Sequence, residues 1–115
     1  MNELAKKIHD IAISKGFWFE GEKRNNGELI ALMHSELSEA LEELRKGIAP
    51  NYIYYPRNIN QDISEVKPEG VPVELADCII RILDFCAFHK IDIDEAIQIK
   101  IDYNKTRPQK HGKVF

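Results

Sequence analysis

Apolar residues recur at helical spacing in four segments of the chain, at residues 2–14, 27–46, 72–90 and 92–106. Gly16 and Gly47 follow the first two segments, as glycines commonly follow helices. Pro72 stands in the first turn of the third, and Asp92 can cap the fourth. No segment shows the sustained alternation that indicates a half-buried strand. The pattern therefore predicts an all-α fold, a bundle of four principal helices in one domain over residues 1–115.

Two of the predicted linkers carry more than turn residues. Residues 16–26 begin with the three aromatic residues 17–19, and residues 48–71 form the longest irregular stretch. A loop of that length is uncommon in a compact domain and often belongs to a functional site or an interface. Short strands around Tyr52 and Tyr55 remain an open alternative within it.

Composition indicates a small soluble protein. The chain is 43% hydrophobic and 30% charged, which is ordinary for a globular domain. Its longest apolar run has five residues, far too few to cross a membrane, and residues 1–7 contain no apolar signal region. Cys78 and Cys86 would lie about 12 Å apart on one helix, too far for a disulfide, so we expect buried thiols in a reducing cytoplasm.

Charge is distributed unevenly along the sequence. The net charge is −3, but residues 100–115 carry +4 and the preceding residues carry −7. An acidic body is a poor profile for a protein that binds DNA or RNA polymers. It suits a site in which acids hold a metal and bases hold a small anion. The alternative is that the basic tail is only a solvated end.

Two pairs of acids stand three residues apart on separate predicted helices: Glu36 and Glu39 on the second, Glu74 and Asp77 on the third. Such a spacing places both members of a pair on one side of a helix. If the helices face each other, four carboxylates converge, which is the ligand set of a hard divalent cation such as Mg²⁺. The alternative is a pair of solvated faces.

Helical projection separates these acids from ordinary surface residues. Glu36 falls inside the apolar sector of the second helix, Glu39 lies at its edge, and Glu42 points away. The third helix is apolar on most sides, which is typical of a central helix or one shared with a second subunit. Its polar residues occupy one stripe of roughly 80°, facing either solvent or an internal cleft: Glu74, Asp77, Arg81 and Asp84.

The fourth predicted helix supplies positive charge. Lys100, Asn104 and Arg107 share one sector, a suitable set for phosphate groups beside a metal, although they could equally pair with surface acids. Trp18 could stack on a nucleic base or pack in the core. No metal role is expected for the histidines, which form no ligand-spaced cluster: His9, His34, His89 and His111.

Taken in order, these motifs resemble the MazG-like nucleotide pyrophosphohydrolases. The resemblance lies in Glu-x-x-Glu at Glu36, Glu-x-x-Asp at Glu74, Lys-x-x-x-Asn at Lys100, and the basic segment at residues 104–113, and it covers roughly residues 27–113. It implies a single MazG-like domain with the all-α NTP pyrophosphatase fold, usually a dimer or tetramer. Such enzymes convert a nucleoside triphosphate, (d)NTP, and water into the monophosphate and pyrophosphate.

The resemblance also assigns roles by position. Glu36, Glu39, Glu74 and Asp77 would hold Mg²⁺. Glu39 and Glu36 are the candidate catalytic residues, with Glu39 the one to orient or deprotonate water. Phosphates would be bound by residues of the fourth helix and its end, and Trp18 could lie against the base. The phosphate-binding set is Lys100, Asn104 and Arg107.

One departure from the family concerns the middle of the chain, where 34 residues separate Glu39 from Glu74. The excess lies in the tyrosine-rich loop, which could cover the site, form a subunit contact or alter the choice of substrate. Two other functions stay open: a phosphoribosyl-ATP pyrophosphohydrolase of the same fold, and a non-catalytic helical module that binds a basic partner.

Overall fold

Helices account for all regular secondary structure in the computed structural model, which describes residues 1–19 and 23–115. The four α-helices are α1 (Asn2–Ser14), α2 (Asn26–Arg45), α3 (Val71–Phe88) and α4 (Ile93–Lys105). The predicted all-α class and four helices are confirmed, with ends that differ by at most two residues. The predicted linker at 16–26 includes residues 20–22, which lie outside the described part. Among the described helices, none combines the length and apolar character required to cross a bilayer.

Local signals explain where the helices begin and end. The Asn25 side chain accepts hydrogen bonds from the backbone N–H groups of Gly27 and Glu28 and so caps α2. Asp92 accepts from the backbone of Glu95 at 3.0 Å, which confirms its predicted capping role. Gly47 follows α2 with a φ of 82°, a conformation that glycine adopts at little cost.

Helix α3 is the centre of the packed unit, because it lies against both α1 and α2. Leu83 is fully buried there, and Cys78 and Cys86 are buried as unpaired thiols, as predicted. Burial raises the pKa of the Cys86 thiol, so this side chain acts as a small apolar residue. The apolar side of α2 completes this core with three residues: Leu29, Met33 and Ala40.

The long loop between α2 and α3 is fastened to the start of α3. Tyr54 and Glu69 form one antiparallel bridge, with N···O distances of 3.0 and 2.8 Å, in place of the short strands considered above. Gly70 follows with a φ of 123°, and a Cβ there would lie 2.3 Å from the carbonyl oxygen of Tyr52. Only glycine permits this close approach of the two backbone segments.

Helix α4 is attached mainly by its first turn. The Asp94 carboxylate accepts hydrogen bonds from the N-terminal amine, at 2.9 Å, and from the backbone of Asn2. Beyond that point α4 has no buried residue, and Ile99 is 62% exposed. The radius of gyration, 17.6 Å, exceeds the value of about 13 Å expected for a compact chain of this length. The packed unit is therefore α1–α2–α3, with α4 set apart.

Candidate metal centre

The polar stripe of α3 lies in the groove between α1 and α2, so it faces the internal cleft rather than open solvent. Glu74 is only 3% exposed, and Asp77, Arg81 and Asp84 are half-buried. Each approaches a polar group of a neighbouring helix: Arg81 donates to Glu36 of α2, and Asp84 contacts His9 of α1. This outcome follows from the position of α3 at the centre, where even its polar side has neighbours.

Three carboxylates from two helices meet in this groove. One oxygen from each of Glu36, Glu39 and Glu74 lies within 4.8 Å of the other two, and we call this group the first cluster. Glu36 is 7% exposed, as its place in the apolar sector predicted, whereas Glu39 is open to solvent. The Oε2 atom of Glu74 is buried and, among the residues that the structure describes, has no hydrogen-bond partner.

Asp77, the fourth predicted ligand, lies beside this cluster rather than within it. Asp77 and Glu36 line the same cavity, and the charge of Glu36 contributes to a raised pKa at Asp77. Arg81 Nε donates to Glu36 Oε1 at 2.8 Å and supplies the positive charge closest to the group. The structure therefore brings three of the four predicted ligands together and places the fourth next to Glu36.

Negative charge is incompletely balanced at this point. The pKa of Glu74 is raised to about 7, first by burial, then by a hydrogen bond with Glu39 and by the charges of Glu39 and Asp77. Burial is also the main cause of the raised pKa of Asp77. Carboxylates crowded in this way keep their protons at pH values above their usual pKa, or they bind a cation in place of the proton. The donor set, all carboxylate oxygen, suits Mg²⁺ or a similar hard ion.

A cavity of about 380 Å³ adjoins the first cluster. Glu36, Asp77 and Arg81 form its polar end, and Ile8, Ile11 and Ile80 contribute apolar surface. Its wall also contains an aromatic ring and two further cationic side chains: Phe17, Lys15 and Arg24. The volume is within the range of small-molecule sites, and the mixture of apolar wall with a few charged groups is typical of them.

Trp18 contacts two residues that line this cavity, Arg24 and Asp84, and both of its ring faces are occupied. Phe88 stacks on one face with a centroid separation of 4.0 Å, and the Arg24 guanidinium carbon lies 4.6 Å from the ring centroid. Two groups at these distances cannot share one face, so they sandwich the indole. Its Nε1 donates to Asp84 Oδ2 at 2.8 Å, while the other oxygen of Asp84 contacts His9 Nδ1 at 2.7 Å. Phe17, by contrast, is half-exposed and lines the cavity directly.

The predicted phosphate-binding residues share one side of α4 and its end. The Lys100 ammonium and the Arg107 guanidinium lie 4.9 and 5.5 Å from the centroid of the Tyr103 ring. The Asn104 Oδ1 atom is buried and finds no hydrogen-bond partner in the described part of the chain. Within the described ranges 1–19 and 23–115, no ion pair or hydrogen bond joins this set to the four predicted metal ligands.

Two acids that sequence reasoning missed lie next to the first cluster. Glu43, Glu69 and Glu74 also present one oxygen each within 4.8 Å of one another, and we call this group the second cluster. Glu43 stands seven residues after Glu36 and therefore on the same side of α2, a spacing that could have identified it. Glu69 carries no such signal, because its position depends on the bridge with Tyr54.

Comparison of the chain with protein-family models, with curated proteins and with solved structures finds no match. The resemblance to the MazG-like enzymes therefore stays a prediction from motifs. What the chain offers in support of a function is its own geometry: a buried carboxylate cluster beside a partly apolar cavity.

Proposed function

We propose that this chain is a Mg²⁺-dependent nucleotide pyrophosphohydrolase, which converts a (d)NTP and water into the (d)NMP and pyrophosphate. The observation that carries the proposal is the first cluster, which contains the buried Oε2 of Glu74, unpartnered within the described residues, and which adjoins a cavity of nucleotide-compatible size through Glu36. The order of the acidic and basic motifs adds support through the resemblance to MazG-like enzymes. A cytoplasmic location belongs to the same proposal, in keeping with two unpaired thiols.

The residues of the first cluster fit Mg²⁺ as a ligand set. Glu36, Glu39 and Glu74 would hold the ion, with Asp77 beside them. A buried carboxylate oxygen without a partner is costly, and a cation is a natural counterpart for it. When bound, Mg²⁺ supplies positive charge to the phosphate oxygens of the bond that is cleaved.

Glu39 is the member of the cluster best suited to handle a proton, because it alone is open to solvent. In the proposed reaction a water oxygen bonds to phosphorus, the α–β anhydride bond breaks, and the proton of the water passes to the Glu39 carboxylate. Arg81 keeps Glu36 oriented through its 2.8 Å hydrogen bond. Lys15 and Arg24 add positive charge along the cavity wall.

The apolar part of the cavity is the proposed place for the base. The half-exposed ring of Phe17 offers a stacking surface, and Ile8 and Ile80 offer aliphatic contact. Trp18 would then have a supporting role, because its stacking on Phe88 and its hydrogen bond to Asp84 position the segment that carries Phe17. Contact of the base with the edge of Trp18 remains compatible with this arrangement.

Self-association into a dimer or tetramer is a further part of the proposal. The helix α4 leaves its apolar side chains exposed, and so does the outer side of α2, where Leu41 is 55% exposed. Monomeric proteins rarely expose apolar surface to this extent. In the proposed assembly, α4 of one copy lies against a neighbouring copy and brings Lys100, Asn104 and Arg107 to the phosphates there. The opposite charges of the acidic body and the basic tail favour this contact.

The same exposed helix favours the competing function, a non-catalytic module that binds another protein. Calorimetry separates the two: Mg²⁺ binding that weakens in Asp77→Asn supports the metal site, and absence of any Mg²⁺ binding supports the module. Phosphoribosyl-ATP, the substrate of the related alternative, is tested by direct competition with simple nucleotides.

The decisive experiment measures pyrophosphate release from a panel of NTPs and dNTPs, with Mg²⁺ and again with EDTA. We expect release from at least one nucleotide and its loss in EDTA. No release from any member by folded protein would reject the proposed reaction for these substrates.

A further inference from the structure

We propose that the second cluster, formed by Glu43, Glu69 and Glu74, is a second site for a hard divalent cation. Glu74 belongs to both clusters, so the chain would hold two cations side by side with one carboxylate between them. This inference concerns the binding of ions and does not depend on the proposed reaction.

The geometry of the second cluster fits one ion. Oxygen ligands bind Mg²⁺ at about 2.1 Å and Ca²⁺ at about 2.3–2.6 Å, so two oxygens on the same ion lie at most roughly 4–5 Å apart. The three carboxylates meet this condition, since one oxygen of each lies within 4.8 Å of the others. Glu43 is 5% exposed and Glu74 is 3% exposed, so the inner side of the site is largely shielded from solvent.

An independent sign of a ligand is the unpartnered Oε2 of Glu74. The side chain is almost fully buried and offers an oxygen to both clusters, yet within residues 1–19 and 23–115 this atom has no hydrogen-bond partner. A buried acceptor normally has a partner, because an unsatisfied one costs free energy. A carboxylate that bridges two ions has both oxygens engaged, as in two-metal sites where the ions lie about 3.5–4 Å apart.

The other two ligands are held in place by the long loop. The Tyr54 hydroxyl donates to Glu43 Oε2 at 2.8 Å, while the backbone of Tyr54 pairs with that of Glu69. This one residue thus orients the Glu43 carboxylate directly and fixes the backbone that carries Glu69, in the manner of the supporting groups that surround metal ligands. The long loop between α2 and α3 would then serve to place Glu69 beside the carboxylates of these two helices.

Nearby lysines only partly offset the negative charge of the cluster. Lys46 Nζ lies 3.6 Å from Glu43 Oε1, and Lys67 Nζ lies 3.9 Å from Glu69 Oε1. Both lysine side chains are more than 60% exposed, so their charges are well solvated and screened. Three carboxylates beside two exposed, hydrated ammonium groups leave room for a divalent ion.

The test uses Mn²⁺ alone, without nucleotide, and counts bound ions per chain by calorimetry and electron paramagnetic resonance. We expect two Mn²⁺ per chain, with a spin-coupled spectrum, since the two ions share Glu74. Glu69→Gln and Glu43→Gln should each leave one uncoupled ion. Tyr54→Phe should weaken the second ion roughly tenfold while the first is unchanged.

Matched controls keep the outcome specific. Glu65→Gln in the same loop and Glu42→Gln on α2 replace exposed glutamates outside both clusters and should retain two ions. Glu36→Gln should lose the ion of the first cluster and keep the other. The proposal is overturned if Glu69→Gln binds as many ions as the wild-type chain, or if the ion lost in Glu69→Gln is the same one that is lost in Glu36→Gln. Neither result bears on pyrophosphate release, so failure here is distinguishable from failure of the proposed reaction.

Discussion

Helices α3 and α4 carry the two halves of the proposed chemistry, and they differ in what holds their side chains in place. The polar side chains of α3 lie in a groove between two neighbouring helices, where Arg81 donates to Glu36 and Asp84 contacts His9. The cations of α4 stand on a helix without a buried residue. The negative half of the proposed site is therefore built within one chain, whereas the proposal assigns the positive half its position through a substrate or a second copy.

The largest effect should come from the carboxylate cluster itself. Replacement of Glu39 by glutamine removes the solvent-facing proton acceptor but keeps the shape of the side chain. We expect pyrophosphate release to fall by about 10²–10⁴-fold, with little change in thermal stability. Glu42→Gln, on the same helix but exposed and paired with Arg45 at 2.8 Å, should retain activity. A Glu39→Gln variant that keeps most of its rate would refute the assignment.

Mixing inactive variants tests whether α4 acts on a neighbouring copy. Glu39→Gln and Lys100→Ala should each have low activity alone. If the partner supplies Lys100, an equal mixture of re-associated dimers regains about one quarter of the wild-type sites, because half of the dimers are mixed and each has one intact site. Glu39→Gln mixed with Glu74→Gln is the control and should regain nothing. Equal failure of both mixtures would place the cations of α4 at the acids of their own chain.

Stability should separate the two helices as well. Leu83→Ala opens a cavity at the centre of α3, where the side chain is fully buried, and should cost about 2–5 kcal/mol in urea unfolding. Ile99→Ala on α4 should change the free energy of unfolding of the dilute protein by less than about 0.5 kcal/mol, since this residue is mostly exposed. It should instead weaken self-association in sedimentation. Equal costs at the two positions would show that α4 packs within its own chain.

The smallest effect concerns pH in the absence of divalent cations. Because the folded pKa of Glu74 is raised to about 7, from 4.5, its contribution to stability is fully present below pH 4.5 and is lost as pH rises through 7. Wild-type protein in EDTA should therefore lose on the order of 1–3 kcal/mol between pH 5 and 8 relative to Glu74→Gln.

The difference between these two proteins is the informative quantity, because the lowered pKa values of several exposed aspartates act in the opposite sense. Parallel pH profiles for wild type and variant would mean that folding does not raise the pKa of Glu74. Added Mn²⁺ at pH 8 should remove the deficit, since it replaces the proton as the partner of the buried carboxylate.

Much of the fold could be predicted from sequence because its signals are local. Periodicity and capping residues gave each helix to within two residues, and helical projection placed Glu36 on the buried side. The paired acids on α2 and α3 predicted convergence only on the condition that the two helices face each other. Contacts between residues distant in the sequence were harder to predict. Asp77 lies beside the first cluster rather than in it, and the sandwich around Trp18 depends on residues up to 70 positions away.

The second cluster could be predicted from the sequence only in part. Glu43 was accessible through its seven-residue spacing from Glu36, but Glu69 was not. Its place is determined by one backbone bridge to Tyr54 and by the close approach at Gly70, both of which are contacts between distant parts of a loop. Loops without periodicity give no such contact in advance.

The sandwiched indole has a practical consequence for anyone who studies this chain. Trp18 is the single tryptophan of the sequence, so fluorescence excited at 295 nm or above comes from this one residue. It adjoins Phe17, Arg24 and Asp84, all of which line the cavity. A molecule that enters the cavity will displace water and shift these neighbours, and the emission of Trp18 will change with it. The protein therefore carries its own optical reporter of occupancy, and candidate nucleotides can be ranked by titration without a label.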